Sequence, residues 1–171
     1  MDRVTTIDEL DGRLLRALHA APRAGVLELA RRLRVARGTV QARMDRLQLR
    51  GIVTGYGPDV DAAALGYGVL AFTTLEIAQG RLRDVVGHLG DIPEVLEAHA
   101  TSGSADLHCR VVARTNGHLQ EVINRILEVQ GIDRSTTVIA LSEQIRYRVM
   151  PLVDAAAGAD PGQAGSVSNR A

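Results

Sequence analysis

Cysteine is nearly absent from this chain of 171 residues, since Cys109 is the only one. No disulfide can therefore form within the chain, which fits a reducing compartment. No run of about 18 apolar residues is available to span a bilayer, and no charged-then-apolar signal segment opens the sequence. We therefore expect a cytoplasmic protein with no membrane partner.

Signatures of catalysis and of nucleotide binding are also missing. The sequence contains no phosphate loop, dinucleotide fingerprint, nucleophile elbow or zinc motif. Cys109 alternates with Leu107 and Val111, which predicts a small core residue and not a nucleophile. We expect no cofactor, no bound metal and no enzymatic activity.

Lysine is absent, so all 20 basic residues are arginines, and 20 acidic residues balance them. This balance conceals an uneven distribution along the chain. Residues 1–56 contain 11 arginines and 6 acids, whereas residues 57–171 contain 9 arginines and 14 acids, giving formal charges of +5 and −5. Such asymmetry indicates different partners for the two halves, with a polyanion on the N-terminal side.

The N-terminal residues predict three helices and a short wing. Thr6 and Glu9 have the spacing of a capping box, which starts a first helix over residues 6–20. Gly51 ends the third helix, and residues 52–56 look extended. The apolar residues at helical spacing in the second and third helices are Val26, Leu29, Ala30, Leu33, Val40, Met44 and Leu47.

Beyond residue 66 the hydrophobic pattern changes to strands alternating with helices. Strands are predicted over 67–78, 95–101, 105–113 and 133–142, with helices after the first and the third. The order β-α-β-β-α-β is that of a ferredoxin-like domain. The predicted fold class is α+β, with a winged helix-turn-helix over 1–56, a linker over 57–66, the ferredoxin-like domain over 67–153 and a disordered tail over 154–171.

The outer side of the predicted helix-turn-helix is dense in arginine. Seven arginines stand between Arg31 and Arg50, against one acid, Asp45. Recognition helices present base-reading side chains near their N-terminal end, so we expect Arg37 to read guanine and Gln41 adenine, with the other arginines on phosphates. The alternative is a solvated charged face without function. The predicted DNA-contacting residues are Arg31, Arg32, Arg34, Arg37, Gly38, Thr39, Gln41, Arg43 and Arg46.

A series of short motifs occurs in order between about Ile7 and Pro151. They are Leu10-Asp11 with Leu14-Leu15, Leu29-Ala30, Thr39-Val40, Arg43, Arg46-Leu47, Gly51-Ile52-Val53, Gly55-Tyr56, Leu65-Gly66-Tyr67, Ile92-Pro93-Glu94-Val95 and Gly103 with Asp106. In this order and spacing they resemble the Lrp/AsnC family of feast/famine regulators. The chain departs from the family pattern where Ala36 replaces the usual serine before the recognition helix, Ser102 replaces a threonine and Ala105 replaces an aromatic residue.

The resemblance implies a DNA-binding transcriptional regulator that forms homodimers, assembles to octamers and binds an amino acid or related metabolite between dimers. Asp106 would hold the α-ammonium group, and backbone N–H groups near Gly103 the α-carboxylate. A purely structural interpretation remains open, in which Gly103 supplies a positive φ and Asp106 caps the turn. The implied effector-binding residues are Thr101, Ser102, Gly103, Ser104, Asp106, Ser135 and Thr137.

Two other functions fit the same architecture. A nucleoid-architectural protein would bind DNA through phosphates with little sequence preference. Sirohaem decarboxylases resemble this two-domain arrangement, and His99 or His108 could serve such an enzyme. The two histidines lie on the arms of the predicted hairpin, where an ordinary surface pair is favoured over a metal site.

Overall fold

The computed structural model describes residues 7–158, which divide into two compact units. The first unit contains the described residues up to Pro58 together with those from Arg146 onward, and the second is Asp59–Ile145. No helix in these residues is long and apolar enough to cross a membrane. The elements are α1 (Glu9–Ala20), α2 (Val26–Leu33), α3 (Arg37–Leu49), β1 (Val69–Ile77), α4 (Leu82–Gly90), β2 (Val95–Ala100), β3 (Leu107–Ala113), α5 (Asn116–Ile126), β4 (Ile132–Ile139) and α6 (Met150–Gly158).

Helix α1 begins at Asp8, which acts as its N-cap. The Asp8 carboxylate accepts from the Asp11 N–H at 2.8 Å, and the Asp11 carboxylate accepts from the Asp8 N–H at 3.3 Å. The capping box predicted at Thr6 and Glu9 was therefore placed two residues too early, and Thr6 itself lies outside the described residues. A carboxylate carries a full negative charge toward the helix N-terminus, which favours Asp8 in this position.

Helices α1, α2 and α3 enclose a small core of their own. Leu14, Leu29, Val40 and Leu47 are essentially inaccessible to solvent, as their helical spacing predicted. The Arg13 guanidinium donates to the Leu33 carbonyl at 3.0 Å and so joins α1 to the end of α2. The core therefore packs α3 against its two neighbours.

The wing predicted after α3 is not formed. Gly51, with φ +69, ends α3 because its N–H reaches the Gln48 carbonyl and the next N–H, of Ile52, reaches the Leu47 carbonyl. Residues 52–56 then continue without strand pairing. A strand needs a hydrogen-bonded neighbour, and the described part of this unit supplies none.

Helix α6 corrects the prediction of a disordered tail over 154–171. The helix covers Met150–Gly158 and belongs to the first unit, where Met150, Val153 and Ala157 pack against its core. Arg16 of α1 pairs with Asp154 at 2.6 Å. The small apolar residues of this segment were insufficient to predict a helix, but they suffice beside a partner surface. Residues 159–171 lie outside the described part.

The second unit is the predicted ferredoxin-like domain. Its four antiparallel strands have the order β2-β3-β1-β4, and its buried core joins β1 and β3 to α4 and α5. Strand β4 ends at Ile139, three residues before the predicted end. Both helices cover the same face, since Val85 of α4 and Val122 of α5 pack with Leu75 and Cys109. The other face, here called the open sheet face, is formed by the even-numbered residues of β1 and β3, residues 134, 136 and 138 of β4, and Glu97 and His99 of β2.

The close contact between α1 and α6 predicts a compensated pair of substitutions. A Cβ added at Gly12 would lie 2.5 Å from the Ala157 Cβ, a separation that real contacts essentially never show. We expect Gly12→Ala to destabilise the first unit by about 1–2 kcal/mol, because α6 must shift. The double variant Gly12→Ala/Ala157→Gly should recover most of this loss. Urea unfolding measures both, and equal instability of the two variants would contradict the α1–α6 contact.

Candidate nucleic-acid and effector sites

The N-terminal end of α3 is open to solvent and lacks a side-chain cap. Ala36 is the N-cap residue, as its alignment with the family's serine predicted, and no side chain hydrogen-bonds to the first turn. Arg37, Gly38 and Thr39 are all exposed there. Backbone N–H groups at such an end remain available to an anion, and they add to the positive charge of Arg37.

Three of the predicted DNA-contacting arginines have no acidic partner. Within residues 7–158, no ion pair involves Arg31, Arg34 or Arg37, and all three are exposed. Arg34 ends α2 in the left-handed conformation at φ +58, which forms the turn into α3. These guanidinium groups therefore form an uncompensated positive surface around the turn and the start of α3.

Two other residues of the predicted set already have partners on their own helix. Arg32 pairs with Glu28 one turn earlier, and Gln41 donates to the Asp45 carboxylate at 2.8 Å. Both contacts are exposed, so each side chain can exchange its partner for another at little cost. The Asp45 contact holds the Gln41 amide in place beside the open end of α3.

Arg43 and Arg46 are held differently, by carboxylates of α1. Arg43 Nη1 lies 2.6 Å from Asp8 Oδ1 and 2.8 Å from Asp11 Oδ1, while Arg46 Nη2 lies 2.8 and 2.7 Å from the two oxygens of Asp11. The Asp11 side chain is 1 % exposed. We call these four residues the carboxylate anchor. It joins the middle of α3 to the first turn of α1. The sequence analysis instead assigned Arg43 and Arg46 to phosphates, because their carboxylate partners lie 32–38 positions away in the chain and no local pattern links them.

The anchor favours its charged form. Burial opposes ionisation of Asp8, but the hydrogen bonds from Arg43 and the Asp11 N–H, together with the charges of Arg43 and Arg46, lower the pKa of this carboxyl below its usual value. The same hydrogen bond with Asp8 raises the pKa of Arg43. A group whose pKa is lowered by folding contributes stability above its unfolded pKa, and this contribution is lost as the pH falls through the folded value. The anchor is therefore intact at neutral pH.

The predicted effector turn closes the β2–β3 hairpin. Gly103 has φ +138, which supports the structural role predicted for it. Thr101 closes the turn twice, since its N–H donates to the Asp106 carbonyl at 3.0 Å and its hydroxyl to the Ala105 carbonyl at 2.8 Å. Ser102, Gly103 and Ser104 are exposed at the tip.

Asp106 connects this turn to β1. Its N–H donates to the Leu75 carbonyl at 2.9 Å, and its carboxylate accepts from the Ile77 N–H at 2.6 Å, beside the bulge between Glu76 and Ile77. One carboxylate oxygen is thus used within the fold. The second oxygen makes no hydrogen bond within residues 7–158.

Ser135 and Thr137 lie on β4, on the sheet face covered by helices. Ser135 stands opposite Leu75, the residue whose carbonyl accepts from the Asp106 N–H, so Ser135 and Asp106 lie on opposite sides of the same residue of β1. Thr137 stands opposite the buried Thr73, and their hydroxyls are 3.0 Å apart. Thr137 is two residues further along β4 than Ser135 and hydrogen-bonds within the sheet.

A buried polar cluster in the second unit was not predicted. Glu94, 7 % exposed, lies 2.7 Å from Arg125 Nη2 and 3.3 Å from His118 Nε2 of α5. Burial opposes its ionisation, yet a backbone hydrogen bond and the charges of Arg125 and His118 lower the pKa of Glu94. The cluster joins the start of β2 to α5, and no local motif links residues so far apart in sequence.

The other candidate functional residues are two histidines of the hairpin and Cys109. His99 and His108 are directly opposite each other on β2 and β3, as predicted for the hairpin arms. In the described residues, no three His, Cys, Asp or Glu side chains come close enough to hold a metal. Cys109 is completely buried on the other face, as predicted, and burial raises its pKa to about 11, so the thiol is not a nucleophile at neutral pH.

An arginine-bearing helix-turn-helix followed by a ferredoxin-like domain is typical of a two-domain DNA-binding regulator. Comparison with known proteins gives the family. The model of the AsnC-type helix-turn-helix domain matches residues 7–48, and that of the Lrp/AsnC ligand binding domain matches residues 70–150. The chain belongs to the Lrp/AsnC family of transcriptional regulators, as its motifs indicated.

Individual relatives agree with this assignment. The regulatory protein AsnC of Escherichia coli K12 is 32% identical over 147 residues, which cover 85% of this chain and 97% of the relative. The solved structure of E. coli AsnC superposes with a TM-score of 0.78 at 31% identity, over 85% of this chain and 99% of the other. A transcriptional regulator from Neisseria meningitidis, solved as a complex with L-methionine, has the same fold, with a TM-score of 0.75 at 22% identity over 82% and 94% of the two chains.

The carboxylate anchor yields a stability prediction. Asp11→Ala leaves Arg43 and Arg46 partly buried without their shared acceptor, so we expect a loss of about 3 kcal/mol in the free energy of unfolding. The control Glu28→Ala removes an exposed pair with Arg32 and should change stability by less than about 0.5 kcal/mol. Urea unfolding followed by circular dichroism measures both. Similar small losses in both variants would show that the anchor does not stabilise the domain.

Proposed function

We propose that this regulator binds specific DNA sites through the start of α3 and changes its action when an amino acid or related metabolite binds the second unit. The observation that carries the DNA part is the set of exposed arginines around the open N-terminal end of α3, Arg31, Arg34 and Arg37, which pair with no acid in residues 7–158. A polyanion is the partner that such a surface fits. DNA supplies phosphates for the arginines and base edges for the side chains at the start of the helix.

Within the predicted set we distinguish two roles. Arg31, Arg32, Arg34, Arg37, Gly38, Thr39 and Gln41 are proposed to contact DNA directly. Arg43 and Arg46 are proposed to act mainly through the anchor, where Asp8 and Asp11 neutralise them and fix the orientation of α3. A phosphate contact by either arginine would require it to leave or share its carboxylate.

Salt-dependent binding separates the two roles. Arg37→Ala should lower the slope of log affinity against log salt by about one and leave stability unchanged, because a free cation is lost. Arg43→Ala should lower the stability of the first unit and change the slope by less. Arg83→Ala, an exposed arginine of α4, is the matched control with no expected effect. A full unit of slope lost in Arg43→Ala, with stability intact, would return Arg43 to the phosphate-contacting set.

For the effector we propose an α-amino acid as the ligand class. The neighbour from N. meningitidis was solved with L-methionine, and the family model that matches residues 70–150 describes a ligand-binding domain. In this chain Asp106 retains a charge that can attract an α-ammonium group, and it lies at the same end of the sheet as Ser135. Thr101, Ser102, Gly103 and Ser104 complete the proposed site, with Thr137 further along β4.

A thermal-shift screen of the twenty amino acids tests this proposal. A ligand at about 100 times its dissociation constant stabilises the protein by roughly 2.7 kcal/mol, which raises the midpoint measurably. Asp106→Asn should abolish the shift while the fold persists, because the amide oxygen can still accept from the Ile77 N–H. Asp133→Asn, exposed on β4, is the control. No shift with any amino acid in the wild type, or a normal shift in Asp106→Asn, would contradict the proposed site.

We further propose that the protein acts as a homodimer that assembles to octamers. The open sheet face supports this, because Val138 is 58 % exposed there and no helix of residues 59–145 covers it. A two-fold dimer would place two copies of α3 on half-sites separated by whole turns of DNA. We place this activity in the cytoplasm, where a DNA-binding regulator with a reduced Cys109 would operate.

Two alternatives are distinguished by direct observations. A nucleoid-architectural protein would protect unrelated DNA sequences equally, whereas a regulator protects defined sites. The proposal that the chain is not an enzyme rests on its regulator relatives and on the arginine surface, which a sirohaem decarboxylase does not need. A haem-like absorption band in the purified protein would favour the enzyme.

A further inference from the structure

The charges on the open sheet face are balanced in a way that suits a second copy of the same face. Glu97 lies 3.6 Å from Arg110, and Glu76 lies 3.8 Å from Arg134. These two acids and two arginines cancel when the histidines of the face are neutral. A neutral face with both signs meets a copy of itself without net charge repulsion, whereas a nucleic acid or an anionic membrane would favour a single positive sign.

Two histidines stand side by side on this face. His99 of β2 and His108 of β3 are directly opposite in the antiparallel ladder. Side chains in such positions have Cβ atoms about 4.5–5.5 Å apart, so two like charges there repel each other. His108 also stacks on Phe72 of β1, with ring centroids 5.6 Å apart and the planes 8° from parallel. Stacking against an apolar ring keeps His108 within the contact surface of the face.

Few negative charges are available to balance the histidines. Glu97 Oε2 lies 3.5 Å from His99 Nε2, but the same carboxylate also faces Arg110. The other charged groups of the face are Glu76 and Arg134, which already pair with each other. Helices α4 and α5 contribute no charges because they pack on the opposite face. Protonation of His99 and His108 would therefore give each face a net charge of about +2, because both acids of the face already pair with its arginines.

We propose that the open sheet face is a pH-sensitive self-association surface, on which the His99–His108 pair must be neutral for a second copy to bind. This inference rests on the homodimer proposed above. Histidine is the side chain whose charge normally changes between pH 5 and 8. Association removes water from the pair and brings two further histidines onto the same interface, so the dimer binds fewer protons than the separate chains. Linkage then requires the dimer to weaken as the pH falls through this range.

Sedimentation equilibrium of the full chain at pH 7.5 and pH 5.5 tests the proposal. We expect the dimer dissociation constant of the wild type to rise at least about tenfold at pH 5.5. A tenfold rise in this constant is the free-energy equivalent of one pKa unit. His99→Gln/His108→Gln should dimerise at both pH values with little difference. The control His19→Gln removes an exposed histidine of α1 and should retain the wild-type pH dependence. Circular dichroism at both pH values confirms that the chains compared are folded.

Two further variants test the dimer interface independently of the histidine mechanism. Val138→Glu places a charge on the open sheet face and should give a monomer at pH 7.5, whereas Val86→Glu on the exposed side of α4 should leave the dimer intact. A wild-type monomer at pH 7.5, or an intact Val138→Glu dimer, would remove the proposed interface and this inference with it. A dimer that Val138→Glu disrupts but pH does not, or a pH dependence that persists without both histidines, would overturn the histidine mechanism alone.

Discussion

The contact between α1 and α3 through the carboxylate anchor is the constraint on which the DNA-binding unit depends. A three-helix core as small as this one, built around Leu14, Leu29 and Leu47, specifies little about the angle of its outer helix. Asp11 adds direction, because one buried carboxylate receives two guanidinium groups from successive turns of α3. Among the described residues, no acid pairs with the start of α3, while its middle is fixed. The same residue type, arginine, thus positions the helix in one turn and, in the proposed DNA contact, supplies exposed positive charge in another.

A similar division applies to the second unit. Its covered face contains the apolar core, and the hairpin end carries a charged turn whose backbone is fixed by Asp106 and Thr101. Its open face is polar at the strand ends and apolar near Phe72 and Val138, which suits assembly better than solvent. Ligand binding at the hairpin end and association on the open face would share strands β1 and β3. An effector that binds one assembly state more tightly than another would shift assembly through these strands.

The sequence was sufficient to predict elements whose apolar residues repeat at regular spacing. The helices through Leu29 and Val122, the β-α-β-β-α-β succession of elements along the chain, and the buried Cys109 were all predicted correctly. The prediction of a wing was wrong because an extended segment needs a partner strand, and no local sequence pattern shows whether one is present. Helix α6 was not predicted because its alanines show little periodicity. Its packing requires Gly12, which lies on the distant helix α1. The anchor was missed for the same reason, since the pairing of Arg43 with Asp8 joins residues 35 positions apart.

Selection of binding sites from a random pool of duplex DNA by the purified protein tests the central claim most directly. A recognition helix with a fixed orientation, presented twice by the proposed symmetric dimer, predicts one enriched pseudo-palindromic motif. Its half-sites should be separated by a whole number of helical turns, about 10–10.5 base pairs each. Enrichment of no motif, with equal retention of unrelated sequences, would contradict the account and leave a protein that contacts only the phosphate backbone.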